Sequence, residues 1–431
     1  MKIPNLAGGT EGAFSWRLVF KLSTPNTTAR SEAPSNPGVR PRIQSLDNLR
    51  GLVMVVMALD HVRDFFHAGA QHFDPGDMSQ TTPFLFFTRW ITHFCAPTFM
   101  FLAGTSAYLQ SRRGKNKSEV ARFLISRGLW LVVLEITWVM CLGWKMNFAY
   151  NEVFLQVIWA LGVSMIALAG LMFIPCRALL VLSLVIIGVH NLFDGVTPAQ
   201  FGALSGLWTI LHVRAPIQIS GSLLIRSSYP LIPWVFVMAA GYCFGQVMKL
   251  ASRERRKLLL KLGAALTASF VLLRWSNLYG DMSPWSSQPS IAMTVASFLN
   301  VTKYPPSLLY LLMTLGPGIF NLGLLERIKL KDSNPFIVFG RVPMFYYLLH
   351  LPVIHGLAVL LAWLRYHRVD FMLRNPPSLF RGSTDGFPAD YGYSLAVVYL
   401  IWIGVVLALY PACKWFAALK QRNKSVVLSY F

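Results

Sequence analysis

Ten stretches of this chain are apolar over lengths that match the hydrocarbon core of a bilayer, about 30 Å thick, and this limits the fold more than any motif does. They are Leu49 to Phe66, Phe84 to Leu109, Phe123 to Gly143, Val153 to Phe173, Ala178 to Phe193, Leu231 to Leu250, Leu258 to Leu278, Ser307 to Leu325, Phe336 to Leu364 and Leu395 to Phe416. With 55% of 431 residues hydrophobic and 13% charged, the chain carries more apolar surface than a soluble domain can bury. Backbone amides in lipid find no water, so runs of this kind are expected to be helical. The sequence therefore predicts an all-α fold, a polytopic transmembrane helical bundle of about ten helices; the fifth run is short, so nine to eleven crossings fit. Phe201 to Leu211 and Ile291 to Leu299 are apolar but too brief to span, which suits interfacial or re-entrant segments.

The net charge of +21 would suit nucleic acid, but the basic residues fall in short clusters between apolar runs. That distribution sets the orientation of a membrane protein, so lipid is the expected partner and nucleic acid is not. An even number of crossings places both termini on one side. The clusters Arg112, Arg113, Lys115 and Lys117, then Lys249, Arg253, Arg255, Arg256, Lys257 and Lys261, then Arg327, Lys329 and Lys331 share that side, which should be cytoplasmic. Arg365, Arg368, Arg374 and Arg381 fall opposite and argue against it. Residues 1–41, rich in Pro, Ser, Thr, Asn and Gly, read as a disordered cytoplasmic tail and not as a signal peptide. Residues 42–417 form the spanning domain and 418–431 a cytoplasmic C-terminal tail. Cys95, Cys141, Cys176, Cys243 and Cys413 include no CxxC pair and act as small hydrophobes.

The first run carries polar groups that need a reason. Ser45-Leu46-Asp47-Asn48-Leu49-Arg50-Gly51 leads into it, and Asp60-His61-Val62-Arg63-Asp64 ends it. With Arg50 at the cytoplasmic surface and a rise of 1.5 Å per residue, His61 lies about 16 Å deeper, near the bilayer midplane. Left facing lipid, Asp60, Arg63 and Asp64 would together cost on the order of 8 to 10 kcal/mol, so they must pair or line a wet cavity. Asp60 and Arg63 stand at i, i+3, as do His61 and Asp64. A carboxylate beside an imidazole is how a general base is oriented, so Asp60 or Asp64 is expected to orient His61. Arg50 and His61 return to nearly the same helix face at about 100° per residue. A ligand with phosphates at the membrane surface and a reactive atom near the midplane, such as an acyl-CoA, would touch both.

The second run adds Arg89 and His93 at i, i+4, with His93 at a depth similar to that of His61, and Pro97 and Gly104 allow a kink or close packing. Glu135 is a lone carboxylate near mid-membrane on the third run. On the ninth, Arg341 lies near the cytoplasmic end and His350 and His355 lie deeper. Each has a plainer reading. His67, His350 and His355 serve equally as interhelical hydrogen-bonding groups, Glu135 as a clamp for an Arg or a backbone break, and Arg63 and Arg89 as snorkelling cations. His61 stands apart because depth, an adjacent Asp and an Arg in register coincide. The His and carboxylate residues show no recurring ligand spacing, so no metal site is expected.

These residues carry a resemblance. Ser45 to Gly51, with ten residues between Arg50 and His61, is similar to the opening of membrane acyltransferase family three, whose Arg and His at this spacing are tied to acyl-CoA use. A closer likeness is to the catalytic domain of the heparan-alpha-glucosaminide N-acetyltransferase family and its bacterial relatives. Thr92-His93-Phe94-Cys95-Ala96-Pro97 through Ser106, Lys303-Tyr304-Pro305-Pro306-Ser307-Leu308-Leu309, and Gly340-Arg341-Val342-Pro343 through His350 carry it, over about residues 42 to 415. The resemblance implies acetyl transfer from cytoplasmic acetyl-CoA to a glycan or amino-sugar acceptor across the membrane, and a multi-pass protein of a bacterial inner membrane. It further implies a histidine in the loop after the first helix, here His72; the lysosomal enzyme has Asn where this chain has His61. His61 and His72 therefore remain alternatives for the proton transfer or for a covalent acyl carrier.

Taken together, the expected catalytic residues are His61, Asp60, His72, Asp64 and His93. Donor binding falls to Arg50, Arg341, Asp47 and His350, and acceptor binding to Arg89, Glu135, Lys303 and Tyr304. Acetyl-CoA is the expected co-substrate, and a homodimer is left open. The competing reading is a transporter or flippase that uses the buried charges to hold a polar solute or couple to protons, which the lack of a visible internal repeat disfavours. A pure scaffold leaves the buried charges unexplained.

Overall fold

Each of the ten apolar runs lies mostly on helix in the computed structural model, which describes residues 42–111, 116–221, 223–373, 386–423 and 425–431; the fourth run opens on a strand, Val153 to Leu155. The expected N-terminal tail, Arg112, Arg113, Lys115, Arg374 and Arg381 lie outside the described residues. Everything below belongs to the unit Ile43–Phe431. Helix α1 (Gln44–Phe66) is followed by α2 (Pro83–Ile91), α3 (Cys95–Ser111), α4 (Lys117–Leu134), α5 (Val157–Leu171) and α6 (Cys176–Val189). Then come the short α7 (Ser205–His212), α8 (Leu231–Phe244), α9 (Ser252–Ser276) and the short α10 (Ile291–Leu299). The chain continues with α11 (Leu308–Leu325), α12 (Pro335–Arg341), α13 (Pro343–Tyr366) and α14 (Leu395–Arg422).

Among the described residues seven helical segments are long and apolar enough to cross a membrane, which makes this a multi-pass membrane protein. Helix α1, with 23 residues, is long enough but carries Asp47, Arg50, Asp60, Arg63 and Asp64, of which packing buries Asp47 and Arg63 while Asp60 and Asp64 border a cavity. The two brief apolar stretches form α7 and α10 with their flanking turns, too short to span.

Three of the runs leave regular α-helix part-way, two of them beside a proline. The second splits into α2 and α3 across a 3₁₀ turn, Thr92–Phe94, just before Pro97. The third passes from α4 into π-helical turns over Glu135–Lys145. The ninth stops at Val342, in non-helical geometry (φ −129°, ψ 48°), and restarts at Pro343, whose ring suits the first helical position. Glycines let the backbones meet: a Cβ on Gly340 would stand 1.8 Å from the Asp47 carbonyl oxygen, and one on Gly104 1.9 Å from that of Met238. Helix α12 therefore lies directly on α1, and α3 on α8.

A small sheet, absent from the sequence expectation, joins the ends of the bundle elements beside the cavity described below. It comprises β1 (Glu152–Leu155), β2 (Pro216–Ser220) and β3 (Leu223–Ser227), ordered β1-β3-β2, with β3 parallel to β1 and antiparallel to β2. The last residues return to the bundle: the Tyr430 hydroxyl lies 2.7 Å from Ser126 Oγ, and Phe431 packs on Trp130. The expected C-terminal tail is in this respect part of the packed unit.

Candidate active site

The polar end of α1 faces a cavity of about 590 Å³. Its inner wall comes from α1, from the broken α2–α3 segment and from Trp144 at the end of the π-helical turns. Its outer wall comes from connections that contribute Asp74, Gly76 and Asp77, Arg214 and Tyr229, and Asn300 to Tyr304. The last group is held by buried contacts. Arg274, 1% exposed, donates to the carbonyls of Ser283, Ser297, Phe298 and Asn300, and so caps the end of α10. The Asp281 carboxylate accepts from Thr302 N at 2.7 Å and Ser307 Oγ at 2.6 Å. Asn300 Nδ2 donates to the Gly76 carbonyl, joining two of the connections.

The charges of α1 are paired, as their cost in lipid demands. The Asp60 carboxylate meets Arg63 at 2.8 Å, Arg89 at 3.5 Å and Lys303 at 3.9 Å, and accepts from Thr92 Oγ1 at 2.9 Å. Arg63, 3% exposed, also binds Asp64 at 2.6 Å. The i, i+3 pairing of Asp60 with Arg63 is present, but the expected orientation of His61 by a carboxylate is not. Both acids turn to the guanidinium, which offers stronger charge-assisted bonds than a neutral imidazole.

His61 instead packs its ring edge-on against Trp144 and tilted beside His350, at centroid distances of 5.1 and 5.2 Å. Its Nδ1 is buried without a hydrogen-bond partner among the described residues, and the side chain borders the cavity. His93 is in the same wall, edge-on to Tyr310, again with Nδ1 unpartnered among the described residues. At the outer wall Lys303 and Arg214 lie over the Tyr304 ring, at 5.1 and 4.7 Å from its centre. Burial alone would raise the Tyr304 phenol, but Lys303, Arg89 and Arg214 outweigh it and hold the group below its ordinary value. Burial pushes its neighbour Tyr229, 3.3 Å away between hydroxyl oxygens, well up.

The structure thus gathers Asp60, His61, Asp64, Arg89, His93, Lys303 and Tyr304 around one cavity. It places the other expected site residues elsewhere. His72 is exposed in the turn after α1 and is not in the cavity wall. Glu135 is fully buried and accepts from the amides of Ile158 and Trp159, so its carboxyl oxygen caps the first turn of α5. Arg50 bonds to Asp47 and Ser106 seven residues beyond Met57, the deepest α1 residue in the wall. Arg341 pairs with Asp332 at 2.6 Å. His350 lies behind His61 with Nδ1 2.6 Å from the Tyr347 carbonyl, and His355 sits between the carbonyls of Gly143 and Met372.

Sequence reasoning passed over Trp144, Arg214, Tyr229 and Asp74, because only the folded connections bring them to the wall. It also passed over a group outside the cavity, His190, Asp194 and His212, whose ligand atoms lie within 4.8 Å of one another. The i, i+4 spacing of His190 and Asp194 was readable, whereas the return of His212 was not.

A family model described as "Heparan-alpha-glucosaminide N-acetyltransferase, catalytic" matches residues 42–278. The match takes in α1 to α9 with Asp60, His61, Arg89 and His93, and it ends before Lys303, Tyr304 and His350. No curated protein matches the chain.

Proposed function

This chain belongs to the heparan-alpha-glucosaminide N-acetyltransferase catalytic family and is a multi-pass membrane acetyltransferase, and we propose that it moves acetyl from acetyl-CoA to a sugar amine or hydroxyl at His61. The observation that supports this reading is that His61 borders a charged cavity partly walled by connecting loops. An acceptor enters past Arg214, Lys303 and Tyr304. Cations and the carboxylates of Asp60, Asp64 and Asp74 side by side suit a molecule with both hydroxyl and amine groups. The donor arrives from the opposite, cytoplasmic end, where Arg50, Arg341 and Asp47 stand. Between Arg50 and Met57 the helix is packed, with Val53 and Met54 buried, so the thioester reaches His61 only after that packing opens.

His350 supplies what the carboxylates do not. Its Nδ1 carries a proton toward the Tyr347 carbonyl, leaving Nε2, buried and otherwise unpartnered among the described residues, as an acceptor facing the His61 ring. A proton on His61 Nδ1 leaves His61 Nε2 free as a base at the cavity. As the acceptor nitrogen or oxygen bonds to the thioester carbon, Nε2 takes its proton and returns it to sulfur when the carbon–sulfur bond breaks. In the covalent variant Nε2 attacks first, the CoA thiol leaves, and the acyl-imidazole passes to the acceptor.

The test is saturable binding of acetyl-CoA to the purified chain, followed by transfer of radiolabelled acetyl to a panel of amino sugars in proteoliposomes. Binding and transfer support the reading. Neither binding nor transfer, with solute uptake instead, overturns it in favour of a transporter.

A further inference from the structure

A second group of chemistry-bearing side chains stands apart from the cavity. His190 begins the 3₁₀ turn His190–Phe193 after α6, Asp194 follows that turn, and His212 is the last residue of α7. The two imidazoles are each 2% exposed, and their rings meet edge to face with centroids 5.7 Å apart. Two features point to a ligand. Both ring nitrogens of His190 are buried with no hydrogen-bond partner among the described residues, although buried polar atoms almost always have one. The remaining donors are already aligned: His212 Nε2 lies 3.1 Å from Asp194 Oδ1, while Asp194 Oδ2 accepts from Asn191 Nδ2 at 2.8 Å. Asn191 is fixed in turn by the Leu308 amide, which donates to its Oδ1 at 2.8 Å. A carboxylate steadied on its outer oxygen while the inner one faces imidazole nitrogens is how metal-binding carboxylates are held.

We propose that His190, Asp194 and His212 bind one zinc ion. Two imidazoles with one carboxylate suit a borderline cation, whereas magnesium and calcium prefer shells of oxygen. Three protein donors leave one position of a tetrahedron for water. The ion ties the turn after α6 to the end of α7, closing the loop of chain between His190 and His212. His212 stands two residues before Arg214, whose guanidinium lies 4.7 Å from the centre of the Tyr304 ring. The site therefore anchors the stretch that delivers a cation to the cavity wall, a structural role that does not depend on the reaction performed there.

The full chain, purified without chelator, is expected to hold one zinc per molecule by elemental analysis. Cobalt(II) in place of zinc should give the strong visible bands of a tetrahedral site. Stripping the metal should lower the melting temperature by about 2 °C or more and expose the 195–212 connection to protease, and added zinc should reverse both. His190→Ala and the near-isosteric Asp194→Asn, which keeps the local shape, should each lose the cobalt bands while the protein elutes as the wild type does. Well under one zinc per folded wild-type chain with no cobalt bands overturns the proposal. Cobalt bands undiminished in both variants also overturn it, because the ion then sits elsewhere.

Discussion

Replacing Arg274 with lysine should loosen the outer wall of the cavity without unfolding the bundle. The guanidinium donates to four carbonyl oxygens, those of Phe298 at 2.9 Å, Ser283 at 2.7 Å, Ser297 at 3.1 Å and Asn300 at 2.8 Å. A lysine ammonium is a single point on a flexible stem and cannot reproduce that planar fork. If it keeps two of the four bonds, the loss at about 1.5 kcal/mol per charge-assisted bond is about 3 kcal/mol. Because all four acceptors lie between Ser283 and Asn300, the cost falls on local opening of that segment, whose next residues carry Lys303 and Tyr304 to the cavity. About 3 kcal/mol is a change of roughly 100-fold in an opening equilibrium. Hydrogen exchange followed by mass spectrometry should therefore show protection of the 291–304 amides falling by about that factor, while α1 and α3 exchange as before. Protection unchanged within twofold, in a lysine variant that inserts normally, would refute the capping argument.

Glu135→Gln keeps an oxygen for the amides of Ile158 and Trp159 and should retain activity within a few-fold. Glu135→Ala leaves those amides unpaired and should lower stability by about 1 to 3 kcal/mol in denaturant titration. Equal loss of transfer in both variants would return Glu135 to the acceptor site. Gly340→Ala puts a methyl group 1.8 Å from the Asp47 carbonyl oxygen and should block the seating of α12 on α1, read as loss of monodisperse protein in size-exclusion chromatography. The depressed Tyr304 phenol titrates below the usual value of about 10, so activity that uses its proton should fall as pH rises through that lower value. Tyr304→Phe should remove this basic limb from the pH profile of the acceptor kcat/KM; a limb unchanged in the variant would assign it to another group.

The spanning elements were legible because hydrophobic run length is a local property, and lipid leaves the backbone no choice but helix. The breaks were partly legible. Pro343 marks the α12–α13 interruption directly, whereas the π-helical turns after Glu135 follow from tertiary contacts such as Trp138 Nε1 to the Leu348 carbonyl. The sheet escaped notice because β1 to β3 are short, and β1 meets β3 with Glu152 opposite Leu224, far apart along the chain. At the site, depth and helical spacing brought out His61, Asp60, Arg63, Arg89 and His93. Spacing alone could not decide which partner Asp60 and Asp64 would take, since each acid lies one residue from one of His61 and Arg63 and three from the other. Nor could it separate Glu135, a buried cap, from a ligand-binding acid: both are carboxylates deep in an apolar run.

The central claim is that His61, and not the exposed His72, handles the proton or the acyl group. It is tested most directly by single-turnover transfer from radiolabelled acetyl-CoA in proteoliposomes holding wild type, His61→Ala or His72→Ala, each checked for insertion. The account predicts a fall of about 100-fold or more for His61→Ala, the scale of a lost general base, and a rate within a few-fold of wild type for His72→Ala. Full transfer by His61→Ala together with silence from His72→Ala would contradict it.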